Sequence, residues 1–422
     1  MRVTTAFNRM LRVPGATVTS VEITPHRVEV GLRPRARRLW CPCGWATRAV
    51  YDRSVRKWRH LDLGASKLFL VAEIRRLDCR RCGRVVTEQV PWARPAARCT
   101  RDLEDVIAWM AQRVDKTTVS KLLRVSWETV AAVVVRVVAD HIDDTRLDDL
   151  YRIGVDEVSY RKGHRYLTVV ADHDRAGAVV WAAEGRNAAT LEKFYEALGP
   201  ERCQQLTAVS LDMGAAYAKA TRIKAPTAQQ CVDPFHVIKL ANEAIDTTRR
   251  WAWNQARGGQ RVADARGRHR EVKGTESQRI KHTRWALLKD PAQLKPSQRE
   301  VLNALRAQRH VLWRAYELKE GLRDLYRLKD GQSAEAHLDA WLARACRSRI
   351  PAIVRLSRAI RRNRDGIIAA VNLGLSNSKL EGLNSKTRLI NHRGYGHHSA
   401  AALIAMIYLC SGGITIKLPT QT

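Results

Sequence analysis

The sequence predicts an α+β protein of several domains, and three observations support this fold class. The chain has 422 residues, which is more than one ordinary hydrophobic core organises. Two close cysteine pairs enclose a strand-like segment in the first hundred residues, and residues 146–237 alternate apolar strands with helices. Residues 238–365 are rich in Ala, Leu, Arg, Glu and Lys, which predicts an inserted all-α segment.

Four cysteines near the N-terminus are candidate zinc ligands, namely Cys41, Cys43, Cys79 and Cys82. Four thiolates on two knuckles suit tetrahedral Zn²⁺. The second pair has the usual C-x-x-C spacing, whereas the first is C-x-C and is one residue short. His60 would be the replacement ligand if either residue of the short knuckle fails to bind. The alternative is four buried cysteines without a metal.

Three helical segments are predicted in residues 96–145. The first begins at Thr100, the second covers 117–123, and Ser126 caps a long apolar third helix. This order predicts a helix-turn-helix, in which the start of the third helix would approach DNA. The residues concerned are Ser126, Trp127 and Thr129. The alternative is a three-helix packing module without a groove contact, because Glu128 would repel phosphate.

An acidic residue interrupts an apolar strand pattern shortly after this segment. Residues 153–160 and 166–171 predict a two-strand hairpin, and Asp156 lies within its first strand. Burying an ionised carboxylate is unfavourable unless it is paired or binds a metal. Asp156 is therefore a candidate metal ligand, while Glu157 should point to the opposite face of the strand.

Two more acids complete a candidate metal site. Residues 206–211 predict an apolar strand that ends at Asp212. Helical periodicity over 376–391 places four polar residues on one face, which are Asn377, Glu381, Asn384 and Arg388. The three carboxylates of Asp156, Asp212 and Glu381 would hold two Mg²⁺ or Mn²⁺ ions.

The rest of the predicted core completes one sheet. Residues 178–183 predict a third strand, 187–198 a helix and 227–232 a fifth strand. Asp233 and His236 follow this last strand directly.

The charge of the chain indicates a polyanionic partner. Lys and Arg number 74 against 42 Asp and Glu, which gives a formal net charge of +32. Residues 249–330 alone contain 21 Lys and Arg against 9 Asp and Glu. Four tryptophans are interleaved with this charge and would either stack on DNA bases or pack the helices. These are Trp251, Trp253, Trp285 and Trp313, and residues 258–274 between them predict a mobile basic loop.

Targeting and membrane signals are not evident in the sequence. The N-terminal residues have no apolar core of signal-peptide length. The longest apolar run, 400–410, is shorter than the roughly 20 residues that a bilayer requires. We therefore expect a cytoplasmic protein without a membrane partner.

Four sequence blocks in one order carry a resemblance to a known family. They are GVDEVSYRKGHRYLTVVADHD, VSLDMGAAY, DPFHVIKLAN and SNSKLEGLNSKTR. In this form and order they resemble the DDE transposases of the bacterial insertion-sequence family ISL-three. The resemblance implies a zinc finger, a helix-turn-helix and a ribonuclease H-like core interrupted by a helical insertion. It also implies Asp156, Asp212 and Glu381 as the catalytic acids. Asp233 and His236 form its second-tier signature, near the active site or as a local structural pair.

The family also implies an activity. The chain would bind double-stranded DNA at the terminal inverted repeats of an insertion sequence, cleave it with two metal ions and join it to target DNA. It would act as a homodimer or higher oligomer, associated with the nucleoid when bound to DNA. Phosphate contacts are expected from Arg249, Arg250, Lys386 and Arg388.

Two other functions remain open at this point. One is a transposase-derived regulator that binds DNA and has lost its chemistry, although the retained acids argue against it. The other is a ribonuclease H-like nuclease acting on RNA or on Holliday junctions, which would not need two N-terminal DNA-binding modules.

The expected division of the chain has five parts. They are a zinc-finger domain at 1–95, a helix-turn-helix at 96–145, the first part of the core at 146–237, the insertion at 238–365 and the last part of the core at 366–422.

Overall fold

The computed structural model describes residues 2–161, 163–258, 261–263, 267, 269–271, 276–328, 331–394, 397 and 399–421. Within these ranges the side chains of residues 258, 261–263, 269–271, 331 and 378–381 are not described. The chain forms two compact units. The first comprises residues 1–146 with 387–422, and the second comprises residues 147–386.

The first unit begins with a helix and a small sheet. Its elements are α1 (Val3–Leu11), β1 (Ala16–Thr24), β2 (Arg27–Pro34), β3 (Leu39–Trp40), β4 (Ala46–Thr47), β5 (Asp52–Arg59), β6 (Lys67–Cys79) and β7 (Arg84–Thr87). The sheet order is β1-β2-β6-β5, with β7 also paired to β6. Alternate residues of the long strand β6 are buried, as a strand with one core face requires. Trp58 and Trp92 meet edge to face in this core, with ring centroids 5.8 Å apart.

Three helices follow, namely α2 (Arg101–Ala111), α3 (Lys116–Leu123) and α4 (Trp127–His141). Each is capped by the side chain before it, since Thr100, Asp115 and Ser126 accept bonds from backbone N–H groups of the first turn. Arg124 ends α3 in the left-handed region at φ 51° and so makes the turn into α4. The predicted helices and the predicted turn are confirmed here.

The second unit contains a five-stranded mixed sheet. Its strands are β8 (Arg152–Arg161), β9 (Arg165–Asp172), β10 (Ala178–Glu184), β11 (Ala208–Leu211) and β12 (Gln229–Val232), and its first helices are α5 (Ala188–Leu198), α6 (Pro200–Gln205) and α7 (Ala215–Lys224). The order is β10-β9-β8-β11-β12. The first three strands are antiparallel, whereas β8, β11 and β12 are parallel to one another. Parallel neighbours need crossover connections, and the helices between β10 and β12 provide them.

Helices dominate the rest of the second unit. They are α8 (Pro234–Gly258), α9 (Glu276–His282), α10 (Arg284–Leu288), α11 (Pro296–Ala307), α12 (Val311–Asp324), α13 (Gly331–Cys346), α14 (Pro351–Arg362), α15 (Arg364–Leu373) and α16 (Ser378–Arg393). From α8 to α15 they share one buried core, which includes Ile245, Leu322 and Ile353. Short strands β13 (Arg261–Ala263) and β14 (His269–Glu271) pair antiparallel between α8 and α9.

The expectation of a loop at 258–274 is therefore wrong at these six strand residues, and an all-α insertion describes the segment only outside them. Residues 259, 260, 264–266, 268 and 272–274 of the expected loop lie outside the described part of the chain. Each of these strands has only three residues. Charged and small residues alternate over too short a stretch to predict a strand from the period-two pattern.

The C-terminal residues return to the first unit. Helix α17 (Ala400–Ser411) packs against α4. The Gln112 side-chain amide donates to the Leu409 carbonyl at 2.7 Å, and the Arg393 guanidinium donates to the carbonyls of Ala111 and Gln112. The sequence-based range 366–422 is thus shared between the two units, with 387–422 in the first.

No helix in the described part of the chain combines the length and the apolar character needed to span a membrane.

Candidate active site and zinc centre

The register of two neighbouring parallel strands brings two aspartates close together, with Asp156 inside β8 and Asp212 directly after β11. In the β8–β11 pair, Gly154 lies opposite Ser210. Asp156 and Asp212 each follow two residues later, so the strand register places them side by side. Asp233 comes directly after β12, and its backbone N–H donates to the Leu211 carbonyl at 2.9 Å. Asp212 and Asp233 thus follow the ends of β11 and β12, and Asp156 on β8 lies close enough that all three charges act on His236.

Asp156 is held in place by two hydrogen bonds. Its Oδ1 accepts from the Glu157 backbone N–H at 2.7 Å, and its Oδ2 accepts from Asn384 Nδ2 at 2.6 Å. Burial raises the pKa of the Asp156 carboxyl despite these bonds, which favour the ionised form. A cation at this position would offset that cost of burying the charge.

Helix α16, which carries Glu381, reaches the site through Asn384. The Asn384 Oδ1 atom is buried and has no hydrogen-bond partner among the described residues. The Glu381 side chain lies outside the described residues, although its backbone is part of α16, one turn before Asn384. Its role as the third acid stays a prediction.

Asp212 is oriented by the glycine two residues after it. The Gly214 backbone N–H donates to Asp212 Oδ1 at 2.8 Å. A Cβ at Gly214 would lie 2.7 Å from that oxygen, which is closer than van der Waals contact allows. The carboxylate and the backbone of residue 214 therefore approach each other in a way that only glycine permits.

We expect Gly214→Ala to lower the DNA cleavage that the family resemblance implies by about 10²-fold, because the added methyl group would push the Asp212 carboxylate out of its position. The backbone at Gly214 has φ −78°, so alanine causes no backbone strain there. The measurement is the rate at which the purified protein cleaves a duplex that carries the expected terminal repeat. Gly382→Ala on α16 is the control, because a Cβ there meets nothing within 4 Å. Equal rates for both variants would contradict this role of Gly214.

Asp233 and His236 form a hydrogen-bonded pair beside the two aspartates. His236 Nδ1 donates to Asp233 Oδ2 at 3.1 Å. The pKa of His236 is raised, first by this bond, and further by the negative charges of Asp156 and Asp212. Asp233 Oδ1 also accepts from the backbone N–H of Asn377 at 3.0 Å. The pair thus fixes local structure and lies within the electrostatic field of both aspartates.

A chain of buried polar residues joins β9, β11 and the start of α16. His173 Nε2 and Ser210 Oγ share a hydrogen bond at 2.7 Å, and Ser210 Oγ donates to Asn377 Oδ1. Ser210 and Asn377 are fully buried. The sequence analysis missed this chain. The available signal was a serine and a histidine at the ends of otherwise apolar strands, and such residues need partners when buried.

A fourth carboxylate lies close to the site on the other side of β8. Burial raises the pKa of Glu157 first, and the charge of Asp212 adds to the increase. A hydrogen bond from Tyr217 on α7 opposes it, and Tyr217 Oη also shares a bond with Thr168 Oγ1 at 2.6 Å. Glu157 therefore faces α7 while Asp156 faces α16, as strand alternation predicts.

The carboxylate and amide oxygens of this site are suitable ligands for a divalent metal ion. Carboxylate and amide oxygens are the hard ligands that Mg²⁺ and Mn²⁺ prefer. Asp156 and Asp212 provide carboxylates from neighbouring strands, and the unpartnered Asn384 Oδ1 provides a further acceptor beside Asp156.

All four N-terminal cysteines come together in the first unit, including both from the short knuckle. Their Sγ atoms lie within 4.8 Å of one another. The Cys41–Cys82 and Cys43–Cys79 sulfur distances are 3.6 and 3.5 Å. Ligands about 2.3 Å from a tetrahedral Zn²⁺ would be separated by about 3.8 Å, so the cluster matches a structural zinc site.

Both knuckles are closed by a glycine in the left-handed region. Gly44 has φ 87° and donates to the Cys41 carbonyl, and Gly83 has φ 66° and donates to the Cys79 carbonyl. The missing residue of the C-x-C knuckle therefore does not prevent the turn. His60 is elsewhere, since its Nδ1 shares a 2.8 Å hydrogen bond with Thr100 Oγ1.

The surroundings shift the pKa values of Cys41 and Cys82 in opposite directions. A hydrogen bond from Arg84 lowers the pKa of Cys82 to about 6. The Cys43 backbone favours the Cys41 thiolate, but burial and the three neighbouring sulfurs outweigh it and raise the pKa of Cys41 to about 12. A bound dication would allow all four to ionise together.

Comparison with known proteins places the chain in a family. The DDE domain model of ISL3 transposases, described as a transposase, matches residues 153–407. The chain belongs to the ISL3 (ISL-three) family of transposases. A second model, the helix-turn-helix domain of transposase family ISL3, matches residues 88–138. A third, the zinc-finger of transposases IS204/IS1001/IS1096/IS1165, matches residues 37–82.

Two curated relatives to which the chain is similar are named as transposases. The transposase for insertion sequence element IS1557 of Mycobacterium tuberculosis is 42% identical over 407 residues, which cover 93% of this chain and 90% of the relative. The transposase for IS1001 of Bordetella parapertussis is 28% identical over 372 residues, 88% of each chain. The resemblance seen in the sequence is confirmed, and helices α2 to α4 belong to a DNA-binding helix-turn-helix.

The expected base-reading residues of this transposase lie at the start of α4. Ser126 is exposed, but its Oγ accepts from the Thr129 backbone N–H at 3.2 Å and caps the helix. Trp127 is half-buried, with Lys116 Nζ 4.7 Å from its ring centroid. Thr129 is also half-buried. Their contact with DNA stays a prediction.

The expected phosphate contacts differ in their availability. Arg249 is only 11% exposed and donates to Asp246 at 2.8 Å, which disfavours a phosphate contact. Arg250 is 63% exposed, although it also pairs with Asp246 at 3.2 Å. Lys386, in the second unit, and Arg388, in the first, are both exposed.

The four tryptophans of the helical segment divide into two pairs. Trp253 and Trp313 pack against the helical core, as the structural alternative expects. Trp251 and Trp285 are 51% and 58% exposed, and Arg284 lies 5.2 Å from the Trp285 ring centroid. Only the exposed pair remains a candidate for base stacking.

Proposed function

We propose that this ISL3 transposase binds the terminal inverted repeats of its insertion sequence, cleaves the DNA there and joins the free ends to target DNA. Asp156, Asp212 and Glu381 would hold two Mg²⁺ or Mn²⁺ ions for this chemistry. The observation that supports the proposal is the β8–β11 register, in which Asp156 within β8 and Asp212 just after β11 each follow a paired residue by two positions.

The sheet order supports a ribonuclease H-like core for this reaction. Three antiparallel strands followed by two parallel strands, in the order β10-β9-β8-β11-β12, is the arrangement expected for that core. Helices α8 to α14 would be its insertion, between the strand that precedes Asp233 and the helix that carries Glu381. We propose the five-part division at 1–95, 96–145, 146–237, 238–365 and 366–422 as a division by function, in which 387–422 of the last part packs within the first compact unit.

The protein groups around the acids have separable tasks. Asn384 and the Glu157 N–H orient Asp156, and the Gly214 N–H orients Asp212. Asp233 holds the His236 imidazole near both carboxylates and raises its pKa. The protonated imidazole would donate a hydrogen bond to a phosphate oxygen there. When bound, the divalent ions would activate water or a 3′-hydroxyl and stabilise the leaving oxygen of an in-line displacement.

Sequence reading and oligomer formation belong to the same proposal. The helix-turn-helix would present Ser126, Trp127 and Thr129 to base edges of the terminal repeats, while arginines and lysines contact phosphates without regard to sequence. Two or more copies would assemble on paired ends, because an insertion sequence has two ends to join.

The test uses purified full-length protein and a plasmid that carries the gene with its native flanking DNA. Cleavage is expected at the two ends in Mg²⁺ or Mn²⁺. No cleavage is expected after chelation, because the carboxylates would take part in the reaction only by holding the metal ions. A plasmid with the flanks replaced by unrelated sequence is the control. End-specific binding without cleavage in any divalent metal would instead indicate the regulator, and cleavage of both plasmids alike would indicate a general nuclease.

A further inference from the structure

A cleft of about 1200 Å³ opens beside Asp212 in the second unit. Residues 211–214, α7 and β12 line one side, and the corner between α14 and α15 lines the other. Asp212 itself belongs to the lining, so the cleft begins at the proposed catalytic edge of the sheet. We call it the Asp212 cleft.

Positive charge from two separate elements converges on this cleft. Lys219 and Arg222 come from α7, and Arg361 and Arg362 come from the last turn of α14. All four are exposed, and no carboxylate of the described residues lies within ion-pair distance of them. Arg364, the fifth cation of the lining, is held by Asp339 at 2.9 Å. The two carboxylates of the lining are Asp212 and Asp365.

Packing does not account for this arrangement. Basic residues in the last turn of α14 interact favourably with the helix dipole, but that interaction would not require α7 to face them with two more cations. Like charges around one cleft repel one another and focus a positive potential within it. An anion in the cleft would remove that repulsion.

Helix α15 packs closely against β12 in the wall of the cleft. A Cβ at Gly366 would lie 2.9 Å from Val232 Cγ2 and 3.2 Å from the Gln230 carbonyl oxygen, so helix and strand are in close contact there. Among the described residues that line the cleft, none has an aromatic side chain. Bases would therefore find no stacking platform, which favours recognition of phosphates over bases.

We propose that the Asp212 cleft binds the sugar-phosphate backbone of the DNA that leads away from the scissile phosphate. This rests on the proposed function, because it takes Asp212 as the point where cleavage occurs. The contact is independent of sequence, unlike the reading by the helix-turn-helix. It adds Lys219, Arg222, Arg361 and Arg362 to the DNA-binding residues, and none of these was expected from the sequence.

The test compares two double variants of the full-length protein, Arg361→Gln with Arg362→Gln and Lys219→Gln with Arg222→Gln. Arg355→Gln with Arg358→Gln is the matched control, because these exposed arginines lie on the same helix α14 outside the cleft lining. Affinity is measured from about 50 to 200 mM salt, on a duplex of the native element end with its flank and on a random duplex.

Each cleft variant should reduce the slope of log affinity against log salt by roughly 1.5 to 2, since each lost phosphate contact removes about 0.9. The loss should be equal on both duplexes, and the control should retain the wild-type slope. Hydroxyl-radical footprints should lose protection within about one helical turn of the cut. Unchanged melting temperatures would show that the variants fold.

Three results would overturn the proposal: wild-type slopes for both cleft variants, an equal loss in the control, or lost protection spread over the whole repeat. The slope of log affinity against log salt can be measured whether or not the protein cleaves DNA. If the wild type fails to cut DNA in any divalent metal, the proposed function fails, and the slope still decides whether the cleft binds DNA.

Discussion

Asp156→Asn and Asp212→Asn should each reduce DNA cleavage by at least roughly 10³-fold while leaving DNA affinity nearly unchanged. The amide keeps the shape of the side chain and its acceptor oxygen, so the bonds from Asn384 and from the Gly214 N–H remain possible. It removes the negative charge that a divalent ion needs, and a loss of about 4 kcal/mol of transition-state stabilisation corresponds to this factor. Glu381→Gln is expected to behave in the same way.

The measurement is single-turnover cleavage of the native element end, together with affinity for the same duplex. Glu201→Gln is a suitable control, because Glu201 is an exposed acid on α6 of the same unit. Near-wild-type cleavage by any one of the three variants would remove that residue from the catalytic set. Loss of affinity in parallel with cleavage would show that the substitution had damaged the fold instead.

Cys41→Ser, Cys43→Ser, Cys79→Ser and Cys82→Ser should each lower the zinc content from about one ion per chain to near none. All four sulfurs belong to one cluster, and a tetrahedral structural site needs all four ligands. Zinc binding in small fingers contributes about 10–16 kcal/mol, so its loss should unfold the knuckles and weaken DNA binding. Metal analysis and DNA affinity of the full-length protein measure both effects.

Two controls accompany the zinc experiment. Cys346→Ser should retain zinc because Cys346 is an exposed thiol in the other unit. His60→Ala should also retain zinc, since His60 bonds to Thr100 and lies outside the cluster. Retention of zinc by Cys43→Ser alone would mean that the C-x-C knuckle supplies a single ligand. If the wild-type protein holds no zinc and still folds and binds DNA, the four cysteines pack the fold without a metal.

Local sequence patterns predicted most of the secondary structure around the site. Strands at 153–160 and 166–171 were found as β8 and β9 within one or two residues, because their apolar runs and turn residues act over short distances. The caps at Thr100 and Ser126 were also visible, since a cap and its helix are adjacent in the chain. The short knuckle was harder to judge, because spacing alone does not show that Gly44 can close the turn.

The sequence by itself determined the family, and it supplied the candidate acids and the candidate zinc ligands, because those signals are residue types at fixed local spacing. Only the tertiary structure showed that Asn384 orients Asp156 from 228 residues away and that Ser210 bonds to Asn377 from 167 residues away. It also separated the packed tryptophans from the exposed ones and brought α7 and α14 together around the Asp212 cleft. The physical reason is that contacts between distant segments depend on how the sheet and helices pack, and no local periodicity encodes which polar faces will meet.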